Sequence, residues 1–496
     1  MNARALRRLV ACAALLCATT ARANGRFPNA QHLWPSPRDG SLVLRATWGF
    51  ALLGPQPTPK WACEDALGYG GEFDPAFVVD DRGGVWLGIY DGLTRIAPDR
   101  CAITRVPALQ GANVVDLDAS PDGRRLILVE NTPFTSSMQS VTARVWRSND
   151  GGDTWTRTAA TLADILVDTV EMARSDPRRV YVTGRESRRP GVRVLRSDDG
   201  GDTFEELAPP WSAEAEGAFV AGIGPDRADR VYVRVVLRPD AAGGAIGATA
   251  LRRSDDGGRS WREVLRTRAP MLGFALRDDG GVIWAGGLDE RDGLRRSRDG
   301  GDTWETLPPM PVRCLRWTRG ALYACLDAVR SPSAALARSD DEGNEFRPVL
   351  DPCDVTPGLG CATGEDPAAS CAALLPSTQR LLGCPRPTRD AGASALDAAA
   401  VDATVADATV TDVTTPHDAR AFADASRPSP SAGCAASPRA LTHRGPLAIV
   451  LAIVSLWRRR AARVKPRPRQ ASAPEDELLP PAQPAAAPGA SPRSPR

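Results

Sequence analysis

Ser148-Asn149-Asp150-Gly151-Gly152-Asp153-Thr154-Trp155 decides how the rest of the chain is read, because it recurs. Ser197, Asp199, Gly201, Thr203 and Phe204 repeat it, and Ser254, Asp256, Gly258, Ser260 and Trp261 repeat it again. Ser297, Asp299, Gly301, Thr303 and Trp304 make a fourth copy; Ser339, Asp341, Gly343, Glu345 and Phe346 make a worn fifth. Ser and Asp side chains accept hydrogen bonds from backbone N–H groups a few residues on, which closes a tight turn. The Gly takes positive φ without steric cost, and Thr and Trp open a new strand with a large surface to bury. Each copy follows a β-like run, such as Ala143-Arg144-Val145-Trp146-Arg147 or Val192-Arg193-Val194-Leu195-Arg196, so the copy reads as the turn of a hairpin. Successive serines stand 49, 57, 43 and 42 residues apart, a period that suits one four-stranded propeller blade per copy.

Working outward, two blade-like stretches without the motif precede the first copy. One holds Leu42-Val43-Leu44 and Phe50-Ala51-Leu52 and ends near Cys63; the other holds Phe77-Val78-Val79 and Val85-Trp86-Leu87 and ends near Cys101. Five blades with the motif follow, over roughly 108–160, 161–208, 213–268, 269–308 and 309–350. Two plus five predicts an all-β, seven-bladed propeller of four-stranded blades, with six or eight as the alternatives. Alternating apolar strands broken by Gly, Pro and Asp turns support this, and no long helical period competes.

The pattern Ser-x-Asp-x-Gly-x-Thr-Trp resembles the Asp box, or BNR repeat, of the sialidase and sortilin-like propeller superfamily. That resemblance implies a structural turn on the blade periphery, away from the ligand face, so Ser148, Asp150, Gly152, Trp155 and their counterparts are read as structural. A sialidase also uses an Arg triad, a Tyr nucleophile with a Glu partner, an Asp acid/base and a Phe-Arg-Ile-Pro motif. The last is missing; Arg26-Phe27-Pro28 has another order. Tyr181, Tyr232 and Tyr323 sit mid-strand and read as core. His32 is the one histidine in the propeller region and reads as a surface residue near the chain entry, which leaves Ser-His-Asp chemistry poorly supported. The photosystem II stability factor has a similar repeat style, which adds an assembly factor to the readings.

Residues 1–23 look like a secretion signal: Arg4, Arg7 and Arg8, a short apolar core from Leu9 to Cys17, then Ala21-Arg22-Ala23. The propeller is expected over 24–350 and a Cys-rich extension over 351–385. The Ala-, Asp- and Thr-rich stretch 386–433 has too little apolar surface to offset ordering entropy and reads as a disordered stalk. Over 434–460, Cys434, an apolar run from Leu447 to Trp457 and Arg458-Arg459-Arg460 resemble a myxobacterial C-terminal sorting signal. In such a signal the matching Cys is the processing site. A plain single-pass anchor, basic side inward, is the rival, because a Pro- and Ala-rich tail continues over 461–496.

The formal net charge of +2 gives no nucleic-acid footprint. Of eleven cysteines, Cys12 and Cys17 leave with the signal and Cys434 is set aside, so eight remain for four disulfides in an oxidising compartment. A two-residue turn at Arg319-Gly320 puts Cys314 opposite Cys325, at a Cα distance a disulfide accepts. Cys63 with Cys101 is expected from matching positions at blade ends. Sequential pairing is favoured for Cys353, Cys361, Cys371 and Cys384 over the other two connectivities. No Cys-x-x-Cys supports zinc.

The turns between third and fourth strands carry the motif, and the loops between second and third strands open on the opposite face. Those loops, 131–140, 185–191, 237–247, 288–293 and 326–334, vary in length and content, and variable loops on a rigid scaffold are where binding concentrates. Arg185, Arg188, Arg189, Arg238, Asp289, Glu290, Arg291 and Arg330 are the candidate ligand-binding residues. The expectation is a monomeric, surface-anchored scaffold, without catalysis or cofactor, that binds a glycan, protein or envelope component and meets the membrane through its C-terminal segment. A secreted sialidase-like or other exo-glycosidase is the alternative.

Overall fold

A computed structural model describes residues 29–385, apart from 55–57, 71–73, 133–140, 189, 242, 244–245, 328–330 and 332–333. The expected signal segment, the stalk, the segment 434–460 with Cys434, and the tail lie outside the described residues. Within them, seven antiparallel sheets follow one another along the chain. Blade one holds Ala30–Pro35, Leu42–Ala46, Gly49–Leu53 and Lys60–Ala62. Blades two to seven span 76–105, 113–163, 165–207, 215–267, 271–306 and 312–350. Each blade is a simple meander in which strand one pairs with two, two with three, and three with four. The first strands of successive blades pack on one another, and Val312–Thr318 of blade seven packs on Ala30–Pro35 of blade one. The chain is therefore an all-β, seven-bladed propeller whose first strands surround the axis.

The strands follow their burial. Second strands are covered by blades on both sides and read as largely apolar runs: Val85–Ile89, Leu126–Asn131 and Ala321–Leu326 are buried throughout. Fourth strands form the rim, and Thr156–Ala163 is mostly exposed. The innermost strands have one edge with no ladder partner, which leaves N–H groups to satisfy. Side chains of the preceding blade do this. Val167 N–H donates to Asn131 Oδ1 (3.2 Å), Val170 N–H to Asp116 Oδ2 (2.8 Å), Met172 N–H to Asp118 Oδ2 (2.7 Å) and Val220 N–H to Thr169 Oγ1 (3.1 Å).

Blade one is built from one contiguous segment, so no strand exchange between chain ends closes the ring. Packing of blade seven on blade one closes it, helped by the Asn29–Asp327 bridge and the Arg319 bond to the Gly40 carbonyl, and the extension reinforces the closure. Thr356–Pro357 adds a fifth, parallel strand outside Lys60–Ala62. Two disulfides pin the extension: Cys63–Cys371 to blade one and Cys101–Cys361 to blade two. Cys353–Cys384 staples it to itself, and Cys314–Cys325 joins directly opposed residues of blade seven, as the turn geometry predicted. The expected Cys63–Cys101 bond does not form. Cys63 follows a fourth strand, whereas Cys101 lies in the turn between Gly92–Ile96 and Ile103–Arg105, so the two sit at opposite ends of their blades. Sequential pairing in the extension is likewise replaced, because Cys361 and Cys371 are drawn to the blades. Four disulfides fit an oxidising, extracytoplasmic setting.

Candidate functional site

Each repeated motif forms the turn between a third and a fourth strand. Ser148 Oγ donates to Asp150 Oδ1 (2.7 Å) and accepts from Gly152 N–H (2.8 Å), while Asp150 accepts from Thr154 N–H and Thr154 Oγ1. Ser197–Asp199, Ser254–Asp256, Ser297–Asp299 and Ser339–Asp341 repeat the first contact. Burial alone raises the Asp150 carboxyl, but the bonds from Thr154 and Ser148 outweigh it and bring it to about 2. Asp199 and Asp256 reach about 2 in the same way. Asp299 is also held low, chiefly by Thr303.

The Arg immediately before each of the first four serines reaches the turn of the next blade, whereas Arg338, before Ser339, pairs with Asp340 of its own turn. Arg147 contacts Asp202 (2.8 Å), Arg196 the Gly257 carbonyl (3.0 Å), Arg253 the Gly300 carbonyl (2.8 Å) and Arg296 the Glu342 carbonyl (2.9 Å). Arg95, in the same register of blade two, stacks on Trp86 and meets Asp153 of blade three. Gly152 packs on Trp86 so closely that a Cβ there would lie 2.1 Å from the ring. These turns are a belt that seals blade to blade, with their polar groups committed.

The opposite face carries the loops between second and third strands. Its charged residues pair within their own blades: Arg185 with Asp168 (2.9 Å), Arg188 with Asp164 (2.9 Å), Arg238 with Asp240 (3.3 Å) and Arg291 with Asp289 (2.6 Å). Arg291 and its backbone N–H hold Asp289 at about 2. The structure thus does not gather the candidates into one cluster. It does bring Asp289, Glu290 and Arg291 together with Ala269 and Leu288 around a shallow groove of about 510 Å³. Arg189 and Arg330 lie outside the described residues. Two exposed apolar side chains, Tyr90 (61% exposed) and Ile246 (73%), project from loops of this face.

Sequence reasoning missed the axis. Side chains of the first and second strands converge there: His32, Trp34 and Arg45 of blade one, Asp116 and Asp118 of blade three, Glu171 of blade four, Arg234 of blade five and Arg316 of blade seven. His32 is no surface residue. It lies 5.3 Å from the Phe77 ring, and burial followed by Arg45, Arg316 and Arg234 holds its pKa well below the usual value. Burial pushes Asp116 up to about 7 and Asp118 up to about 6. Glu171 is raised well above its ordinary range by burial and then by Asp118 and Asp116, and its carboxyl is hydrogen-bonded to that of Asp118. The legible signal was a charged residue inside an otherwise apolar first strand, as in Val114-Val115-Asp116-Leu117-Asp118 or Leu315-Arg316-Trp317. Among the described residues, no group of three or more His, Cys, Asp or Glu is arranged to hold a metal ion.

No protein-family model matches the chain, and no curated protein matches it. Solved structures do. An ancestral GH74 enzyme shares 14% identity over 65% of this chain and 46% of its own length, with a TM-score of 0.48. The Niastella koreensis GH74 enzyme shares 13% over 65% of this chain and 63% of its own, with a TM-score of 0.29. YCF48 bound to D1 peptide shares 17% over 49% of this chain and 68% of its own, with a TM-score of 0.32. The chain spans less than two thirds of either GH74 enzyme, and at these identities the likeness is one of fold.

Proposed function

We propose that the protein is an extracytoplasmic, surface-tethered propeller scaffold that binds a glycan, protein or envelope component on its loop face, without catalysis. The observation that carries this reading is the loop face itself. Its charged side chains are fixed by ion pairs within each blade, and Tyr90 and Ile246 stand exposed among them. Paired charges with protruding apolar tips make a preorganised contact surface. Tethering through 434–460 rests on the order of the Gly-Cys pair, apolar run and Arg cluster. In the test, the oxidised full chain is immobilised and offered a glycan array and solubilised envelope fractions. Tyr90→Ala, Ile246→Asp and Arg291→Ala are expected to abolish capture with folding intact, while the belt-face variant Arg298→Ala keeps it. Equal behaviour of the two sets refutes the face assignment.

One observation favours the glycosidase alternative. Asp116 and Asp118 stand two residues apart on one strand, and both accept from the neighbouring strand, so they share a side. That spacing is about 6.6 Å along a strand, near the roughly 6.5–9.5 Å of inverting glycosidases, and a carboxyl at about 7 suits a general acid. Turnover on a fluorogenic glycoside panel, lost in Asp116→Asn, selects this reading. No turnover by the folded, oxidised protein removes it.

A further inference from the structure

The first strands run from the loop face to the belt face, so their last residues line the axial mouth on the belt side. Asp118, Glu171, Arg316 and Trp34 all sit there, one or two residues before their strands end. Just beyond the strands, Arg174 of blade four and Asp278 of blade six form an ion pair of 3.1 Å. This pair bridges non-adjacent blades and spans the mouth. Inside it, the Arg316 guanidinium lies 4.7 Å over the Trp34 ring. Among the described residues Arg316 makes neither a hydrogen bond nor an ion pair, although protein encloses it closely enough to lower its pKa. Asp118 and Glu171 bond to each other and act on Arg316 only through space. Arg316 is half-buried, so its N–H groups stay open to an incoming acceptor. The cation–π contact takes one face of the fork and leaves its N–H edges for a planar anion.

The geometry points to a small-ligand site at the belt-side mouth of the channel, made for an α-substituted carboxylate. The ligand carboxylate meets Arg316, its α-ammonium or α-hydroxyl donates to the Asp118–Glu171 pair, and the Arg174–Asp278 bridge covers it. An α-amino acid and an α-hydroxy acid share this chemistry. The site is separate from the loop face, and its failure leaves the loop-face reading standing.

Titration calorimetry on the oxidised full chain tests it, with L-alanine, glycolate, acetate and alaninamide as probes. L-alanine or glycolate is expected to bind, acetate to bind at least roughly tenfold more weakly for want of the α-donor, and alaninamide not to bind for want of the anion. A preference for L-alanine over glycolate identifies the ammonium form, and the reverse the hydroxyl form. Arg316→Lys keeps the charge but loses the fork and is expected to weaken binding roughly tenfold or more. Glu171→Met, which keeps the side-chain length but removes the carboxyl acceptor and its bond to Asp118, is expected to cut the advantage of L-alanine or glycolate over acetate at least severalfold even if Arg316→Lys does not fold. Arg291→Ala on the loop face is expected to bind like the parent chain. The proposal is overturned if the folded parent chain binds none of the four, if alaninamide binds as well as L-alanine, or if Glu171→Met retains the full discrimination.

Discussion

The ring should open in a measurable order when its covalent closures are removed. Cys63–Cys371 spans 308 residues and Cys101–Cys361 spans 260, one nested in the other. With Cys101–Cys361 in place, the second bond closes only the stretches from 63 to 101 and from 361 to 371, a loop of about 48 residues, worth about 4 kcal/mol of unfolded-chain entropy. With neither in place, the first bond to form closes the long loop and is worth about 6 kcal/mol. Removing either bond alone should therefore cost about 4 kcal/mol and removing both about 10 kcal/mol, more than twice the single value. The hairpin bond Cys314–Cys325 spans 11 residues, and its loss should cost about 3 kcal/mol. At about 2.1 cal/mol/K per residue over roughly 355 residues, these values become melting-point drops of about 5, 13 and 4 °C. Scanning calorimetry of Cys63→Ala/Cys371→Ala, Cys101→Ala/Cys361→Ala, the fourfold variant and Cys314→Ala/Cys325→Ala checks the series. A fourfold variant that melts no lower than either double variant would refute the view that the extension holds the ring.

Stability should respond to acid in two opposed ways. The carboxyls of Asp150, Asp199 and Asp256 are depressed to about 2, so their contribution is full above pH 4 and is lost as pH falls toward 2. Asp116 is raised to about 7, so the native state holds a proton that the unfolded chain releases near pH 4, and stability falls as pH climbs from about 4 to 7. In Asp116→Asn, urea unfolding at stepped pH should show that upper slope flattened, with the acid limb unchanged. Gly152→Ala combines positive φ with a Cβ driven into Trp86 and should cost about 2–4 kcal/mol by urea unfolding. Gly111→Ala, with positive φ but open space around it, should cost about 1 kcal/mol.

The blades were legible because their signals are local. A Ser, an Asp and a Gly at fixed offsets determine a turn whatever surrounds them, and the turns recur at blade intervals. The disulfides were legible only where the chain itself sets the register, as at Cys314 and Cys325. Cys63 and Cys101 depend on the path of an extension some 260 to 308 residues away, which no local pattern records. The axis was hidden for a similar reason. Alternation shows that Asp116 and Asp118 share a side, but which side faces the axis is set by the packing of seven blades. The loop-face candidates were placed on one face by counting strands. They stay apart because they stand on loops of different blades, each paired locally.

The belt of arginines is directional: Arg95, Arg147, Arg196, Arg253 and Arg296 each reach forward, from blade two through to blade seven, whereas blade one is tied by Arg38 to the Arg82 carbonyl and by Arg319 of blade seven to the Gly40 carbonyl. Around blade one a covalent lock is added by residues up to Cys384, nearly the last of the described chain. Assembly is therefore timed by synthesis. The blades can dock in sequence as they emerge, but the circle is locked covalently only after the whole extension has been made and only where thiols are oxidised. In a reducing environment the same chain loses its covalent locks beside blade one and keeps only the noncovalent ties across its two seams.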